Sequence, residues 1–134
     1  MLANRSMPPC AVIPVLSYPD VGDAIEWLCD AFGFTLRLRI QNHRAQLNVG
    51  DGAVVLTTKR TGDGQQFDPV MVRVENADRH HERANQHGAR LLSPPADYPC
   101  GERQYSVEDF AGHRWTFSQS IADVDPEDWG ATSD

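Results

Sequence analysis

Hydrophobic positions along the chain change period in a repeated order. Ala11–Tyr18 is an apolar run that predicts a strand, closed by Pro19-Asp20. Val21, Ala24, Ile25, Leu28 and Phe32 then recur at helical spacing, with Asp20 as the capping residue, Asp23 in the first turn and Gly33 as the stop. Phe34–Ile40 alternates with a period of two and predicts a half-buried strand. Ala45–Val49 and Ala53–Thr58 predict two more, joined by the hairpin turn Gly50-Asp51-Gly52. The first half therefore reads β-α-β-β-β.

A polar link, Thr61–Gln66, precedes a second series in the same order. Val70–Val74 alternates as a strand, and Asn76 caps a helix that runs through Ala84 and stops at Gly88. Ala89–Leu92, Gln104–Val107 and His113–Ser118 predict three short strands. Ser93–Gly101, with three prolines, is predicted as a long loop. The two series superpose with a shift of about 55–60 residues, which points to an internal duplication. The expected architecture is one α+β domain over 1–134, with module 1 at about 11–60 and module 2 at about 68–120. An acidic tail, 121–134, follows, with Trp129 as its candidate anchor.

Composition narrows the function classes. With 134 residues, 40% hydrophobic and 23% charged, the chain has the balance of a soluble globular domain. A net charge of −7 disfavours nucleic acid and anionic membranes as partners, and it is compatible with cationic ligands. No apolar run is long enough for a membrane span, and the first residues lack a signal-peptide pattern, so a cytoplasmic location is expected. Cys10, Cys29 and Cys100 are odd in number and widely spaced, which argues against a disulfide framework or a structural zinc site.

The sequence resembles the vicinal oxygen chelate superfamily of glyoxalase I, bleomycin-resistance proteins and extradiol dioxygenases. The resemblance is carried by Val15-Leu-Ser-Tyr-Pro-Asp20 leading into Ala24-Ile-Glu-Trp-Leu28 and Ala31-Phe-Gly-Phe34. In the second half it is carried by Val72-Arg-Val-Glu-Asn76, Ala84…Gly88-Ala-Arg-Leu91 and Gly101–Asp109 followed by Gly112-His-Arg-Trp-Thr-Phe117. It is similar to the bleomycin-resistance-like and PhnB-like branches more than to glyoxalase I. The resemblance implies two βαβββ modules forming a curled mixed sheet around a cleft, commonly completed in a homodimer.

In metal-dependent members, His or Glu on the first and last strands of each module hold a divalent ion. Here the corresponding positions fall at Ile13, Leu56, Pro69 and Thr116, none of them a His, Glu or Asp. A slip of one residue substitutes Val12, Val55, Val70 and Trp115, which ligate no better. No metal and no other cofactor is therefore expected. His80 and His81, adjacent on a helix, point in different directions and lack a partner at i+4, so they read as packed or half-exposed histidines.

On the closing strand, His113, Trp115 and Phe117 are expected to face the helix, while Arg114, Thr116 and Ser118 face the cleft. Arg114 is then either a ligand group or a member of an ion pair. The candidate ligand-binding set is Ile13, Val15, Ser17, Leu56, Met71, Arg73, Arg114 and Thr116. Val54 and Thr58 are expected on the same face as Leu56. Glu102 and Arg103 are expected to pair with each other on a loop edge, and Glu108-Asp109 to form a turn. No catalytic residue is assigned, and no nucleophile elbow or phosphate-cradling glycine loop is present.

The function these readings imply is metal-independent binding of a small organic ligand, a drug or metabolite held without chemistry. A glyoxalase-like lyase or isomerase, using a metal through His81 or Glu102, is the alternative from another class. An interaction module with no ligand is a third.

Overall fold

The computed structural model describes residues 2–58 and 68–132. The predicted link Thr61–Gln66 lies outside them. The chain divides into two compact units, Met1–Gln65 and Gln66–Asp134.

In the first unit, β1 (Val15–Tyr18), α1 (Val21–Phe32), β2 (Thr35–Ile40), β3 (Arg44–Val49) and β4 (Gly52–Thr58) follow the predicted βαβββ order. The sheet order is β1-β4-β3-β2, with β1 parallel to β4 and the other pairs antiparallel. Asp20 caps α1 by accepting the Asp23 N–H at 2.9 Å, and Gly33 ends it in the left-handed region at φ 78°. The helix buries Val21, Ala24, Ile25, Leu28, Ala31 and Phe32, the face its spacing predicts. One tie was not foreseeable from periodicity. Asn42, in the β2–β3 turn, accepts the Gly22 N–H at 2.6 Å and so fastens that hairpin to the start of α1.

The second unit repeats the order with β5 (Val70–Arg73), α2 (Ala77–Gln86), β6 (Arg90–Tyr98), β7 (Glu102–Glu108) and β8 (Arg114–Ser120). Its sheet runs β5-β8-β7-β6. Asn76 caps α2 through the Arg79 N–H at 3.0 Å, and the Gln119 side chain accepts the Ala77 N–H at 2.8 Å. The core under α2 is aromatic. Tyr105, Trp115 and Phe117 are fully buried, and the His80 ring lies 4.0 Å from that of Phe117. His80 Nδ1 and the Tyr105 hydroxyl share a hydrogen bond, and His81 meets Tyr105 edge-on. The histidine pair is thus packed, as its place on the helix predicts.

Three expectations change. Ser93–Tyr98 is not loop but the greater part of β6, an edge strand with two register shifts against β7, one between Leu91 and Ser93 and one between Ser93 and Ala96, where Pro94 and Pro95 interrupt pairing. Proline lacks the N–H a central strand requires, but an edge strand can leave that side unpaired. Glu102 and Arg103 do not pair with each other. They are adjacent in β7 and point to opposite faces, where Glu102 meets Arg73 and Arg103 meets Asp78 and Asp97. Trp129 sits in a 3-10 turn, Pro126–Trp129, and is 46% exposed, so it does not anchor the tail by burial. The tail is held instead at Gly101, whose carbonyl accepts the Ile121 N–H at 2.8 Å.

Candidate functional site

Each sheet has one face against its helix and one turned away from it, and strand register decides which residues stand on the second. In the first unit Val15 is opposite Val55 and Ser17 opposite Thr57, while Leu16 is opposite Leu56. Neighbours in register share a face, so Leu56 belongs with Leu16, Ala45 and Val54 on the helix side, where it is fully buried. The expectation that Leu56, Val54 and Thr58 share a face with Val15 and Ser17 is therefore corrected by one residue. Val55, not Leu56, stands beside Val15, and Gln46 and Leu38 continue that row. A uniformly apolar run, Ala53-Val-Val-Leu56, carries no alternation from which its phase could be read.

Gln46 on this face is buried and accounted for. Its Oε1 accepts from Arg37 Nη1 at 2.7 Å, and its Nε2 donates to the Ser6 carbonyl at 2.9 Å. The segment before β1 thereby packs on the same sheet face. A cavity of about 560 Å³ lined by Leu2–Arg5, Met7–Cys10 and Arg37 contains none of the predicted ligand residues. Ile13 lies just before β1 and is half-buried.

In the second unit the helix-distal face is crossed by four rows in register. Arg114, Glu108 and Arg90 form a charged row at one end. Met71, Thr116, Ser106 and Ser93 form the next, then Arg73, Ser118, Gln104 and Ala96. Ser120, Glu102 and Tyr98 form the last. The structure thus brings Met71, Arg73, Arg114 and Thr116 together on one face, as the alternation of β5 and β8 predicts.

The polar groups in these rows are joined to one another. Ser106 and Thr116 hydroxyls are 2.9 Å apart, and Gln104 Nε2 donates to Ser118 Oγ at 3.1 Å. Ser118 Oγ in turn donates to Glu102 Oε1 at 2.7 Å, Ser120 Oγ donates to Oε2 at 2.5 Å, and Arg73 Nη1 lies 3.0 Å from Oε1. The Ser120 and Ser118 hydrogen bonds and the Arg73 charge outweigh partial burial and hold the Glu102 carboxyl below its ordinary pKa. At the opposite end Glu108 stands between Arg114 at 3.5 Å and Arg90 at 3.7 Å. Arg114 is therefore in an ion pair, one of the two roles its position left open.

Gln104, Ser106 and Glu108 are not among the predicted site residues, and Glu102 is named only as a metal ligand of the alternative enzyme reading. Their signal was nonetheless in the sequence. Glu-Arg-Gln-Tyr-Ser-Val-Glu alternates over 102–108, with Tyr105 and Val107 buried on one parity and polar groups on the other.

The four positions where the family resemblance implies metal ligands do not fit an ion. Ile13, Pro69 and Leu56 offer no donor, Val55 in place of Leu56 offers none either, and the Thr116 hydroxyl is engaged by Ser106. Among the described residues no group of three His, Cys, Asp or Glu side chains is placed to hold a metal ion. No described helix is long and apolar enough to cross a membrane.

The two units have the βαβββ order that the family resemblance implies. Residues 11–117 match the Glyoxalase/Bleomycin resistance protein/Dioxygenase superfamily. The chain belongs to this superfamily. Among solved structures it is similar to TioX from Micromonospora sp. ML1, with 31% identity, TM-score 0.72, and coverage of 87% of this chain and 100% of that one. It shares the fold of a glyoxalase/bleomycin resistance protein/dioxygenase from Nocardioides, at 22% identity and TM-score 0.62, over 94% of this chain and 90% of that one. It also shares the fold of a lactoylglutathione lyase from Agrobacterium tumefaciens, at 16% identity and TM-score 0.66, over 86% of this chain and 97% of that one. No curated protein matches the chain.

Proposed function

We propose that the protein binds a small organic ligand without a metal ion and holds it without chemical change, sequestering a drug or metabolite. The observation that carries this reading is the residue set at the expected ligand positions: Ile13, Pro69 and Thr116, with Leu56 on the helix side and Val55 beside it. Such side chains cannot polarise a substrate oxygen through a bound cation. The half-buried Ser106 hydroxyl and Gln104 amide can instead exchange their bonds to the buried Thr116 and Ser118 for hydrogen bonds to a ligand. The proposed site is the helix-distal face of the second unit, with Met71, Arg73, Arg114 and Thr116. In the first unit Val15 and Ser17 stand on the corresponding face of their own sheet, Ile13 just precedes it, and Leu56 is core. A homodimer in the cytoplasm is part of the same proposal, and its acidic charge favours a cationic ligand.

A thermal-shift screen of chelator-treated protein against cationic drugs, glycopeptides and small metabolites tests it. The expected result is concentration-dependent stabilisation by at least one compound, which leaves the compound unchanged on recovery. Stoichiometric zinc, nickel or iron in protein purified without chelator, together with turnover that the metal restores, would replace this reading with the lyase or isomerase. Absence of stabilisation by every compound would favour a pure interaction module.

A further inference from the structure

We infer that Glu102 is the recognition point for a cationic group of the ligand, a guanidinium or primary ammonium, and that Arg73 occupies it until the ligand displaces that side chain. This rests on the binding reading above and adds the ligand's chemistry. Two features of the geometry support it. Ser118 and Ser120, on successive helix-distal positions of β8, donate to the two carboxylate oxygens from the sheet side; Arg73 Nη1 donates to both Glu102 and Ser120, so the bond from the buried Ser118 is the one that holds the carboxylate independently of Arg73. The Arg73 side chain is 65% exposed while that of Glu102 is 16% exposed, so the cation lies on the solvent side of the pair and the anion on the sheet side. Exposed pairs of this kind add little stability, and exchanging one guanidinium for another costs little.

The other carboxylate of the face, Glu108, is placed differently. Two arginines flank it, each beyond 3.4 Å, and among the described residues no hydroxyl donates to it. With the side-chain amide Gln104 beside Ser118, a ligand carrying a cation next to hydrogen-bonding polar groups matches the Glu102 end of the face.

The test is fluorescence titration with 4-aminobenzamidine as the cationic probe and 4-aminobenzamide as its neutral counterpart. Saturable binding of the cation to the unaltered protein is expected, and none of the neutral compound. Arg73→Ala should bind the cation about three- to tenfold more tightly, because the competing guanidinium is gone. Glu102→Gln should abolish binding, and Glu26→Gln, an exposed carboxylate of α1 in the first unit, should leave it unchanged. Urea midpoints establish that each variant is folded. Should Glu102→Gln fail to fold, Ser118→Ala serves instead, with weakened binding expected from a less fixed carboxylate. Absence of saturable binding, an Arg73→Ala affinity no tighter than the parent's, or equal binding by the neutral compound overturns the inference. Metal-free binding of another compound from the thermal-shift screen that Glu102→Gln leaves intact also overturns it, while the broader binding reading stands.

Discussion

Asp109 Oδ2 accepts the indole N–H of the buried Trp115 at 3.1 Å, and Asp109 Oδ1 accepts the Ala111 and His113 backbone N–H groups at 3.0 Å each. One carboxylate thus closes the β7–β8 turn and fixes the largest core side chain of the second unit. Asp109→Ala leaves three donors without an acceptor, one of them deep in the core. Because an orphaned buried polar group costs about 1–3 kcal/mol, the expected loss is about 2–4 kcal/mol in urea unfolding. Asp109→Asn keeps acceptor capacity on one oxygen and should lose distinctly less.

Gly101 sits at φ +87°, and a Cβ there would meet the Ala122 carbonyl oxygen at 2.4 Å and Val124 Cγ2 at 2.9 Å. Gly101→Ala therefore combines a left-handed residue with a backbone clash and should cost at least about 1–3 kcal/mol. The tail should also detach, because its backbone bonds to Gly101 must shift. Limited proteolysis should then cut within 121–132 faster than in the parent protein.

Burial pushes the Tyr105 phenol well above its ordinary range. In the unfolded chain the phenol releases its proton near pH 10, while in the folded protein it remains neutral to higher pH. Its contribution to stability is therefore complete below about pH 10 and falls as the pH rises further. Thermal unfolding followed from pH 8 to pH 11 should show that decline, and Tyr105→Phe should make it shallower. At neutral pH the same variant should lose about 1 kcal/mol with the hydrogen bond to His80.

Leu56 lies on the helix side of β4 and is fully buried. Leu56→Ala should cost about 2–5 kcal/mol in urea unfolding, as core truncations do. Any ligand found by screening should bind the folded variant with unchanged affinity. A selective loss of affinity without loss of stability would return Leu56 to the site.

Most of the fold was legible from local chemistry. Asp20 and Gly33 mark α1, Asn76 marks the start of α2, and Gly50-Asp51 joins β3 to β4, because caps and turns depend on neighbours in sequence. The site was half legible for the same reason. Where polar and apolar residues alternate, as in Arg114-Trp-Thr-Phe-Ser118, the face of each is set by parity. Where they do not, as in Ala53–Leu56, only pairing with β1 sets it, and the assignment of Leu56 moved by one residue. From the sequence alone Glu102 is paired with Arg103, or given a metal, because its actual partners come from two other strands, with Arg73 29 positions and Ser118 16 positions away. No local pattern records such a meeting. The part of β6 beyond the predicted Ala89–Leu92 was hidden by Pro94 and Pro95, whose tolerance depends on the strand being at a sheet edge.

The most direct test of the central claim is amide chemical-shift mapping of the chelator-treated, isotope-labelled protein, titrated with a compound that stabilises it. The account predicts saturable shifts centred on Arg73, Gln104, Ser106, Arg114 and Thr116 that are the same with and without added zinc or nickel. Shifts confined to other surfaces, or shifts that appear only when metal is supplied, would contradict it.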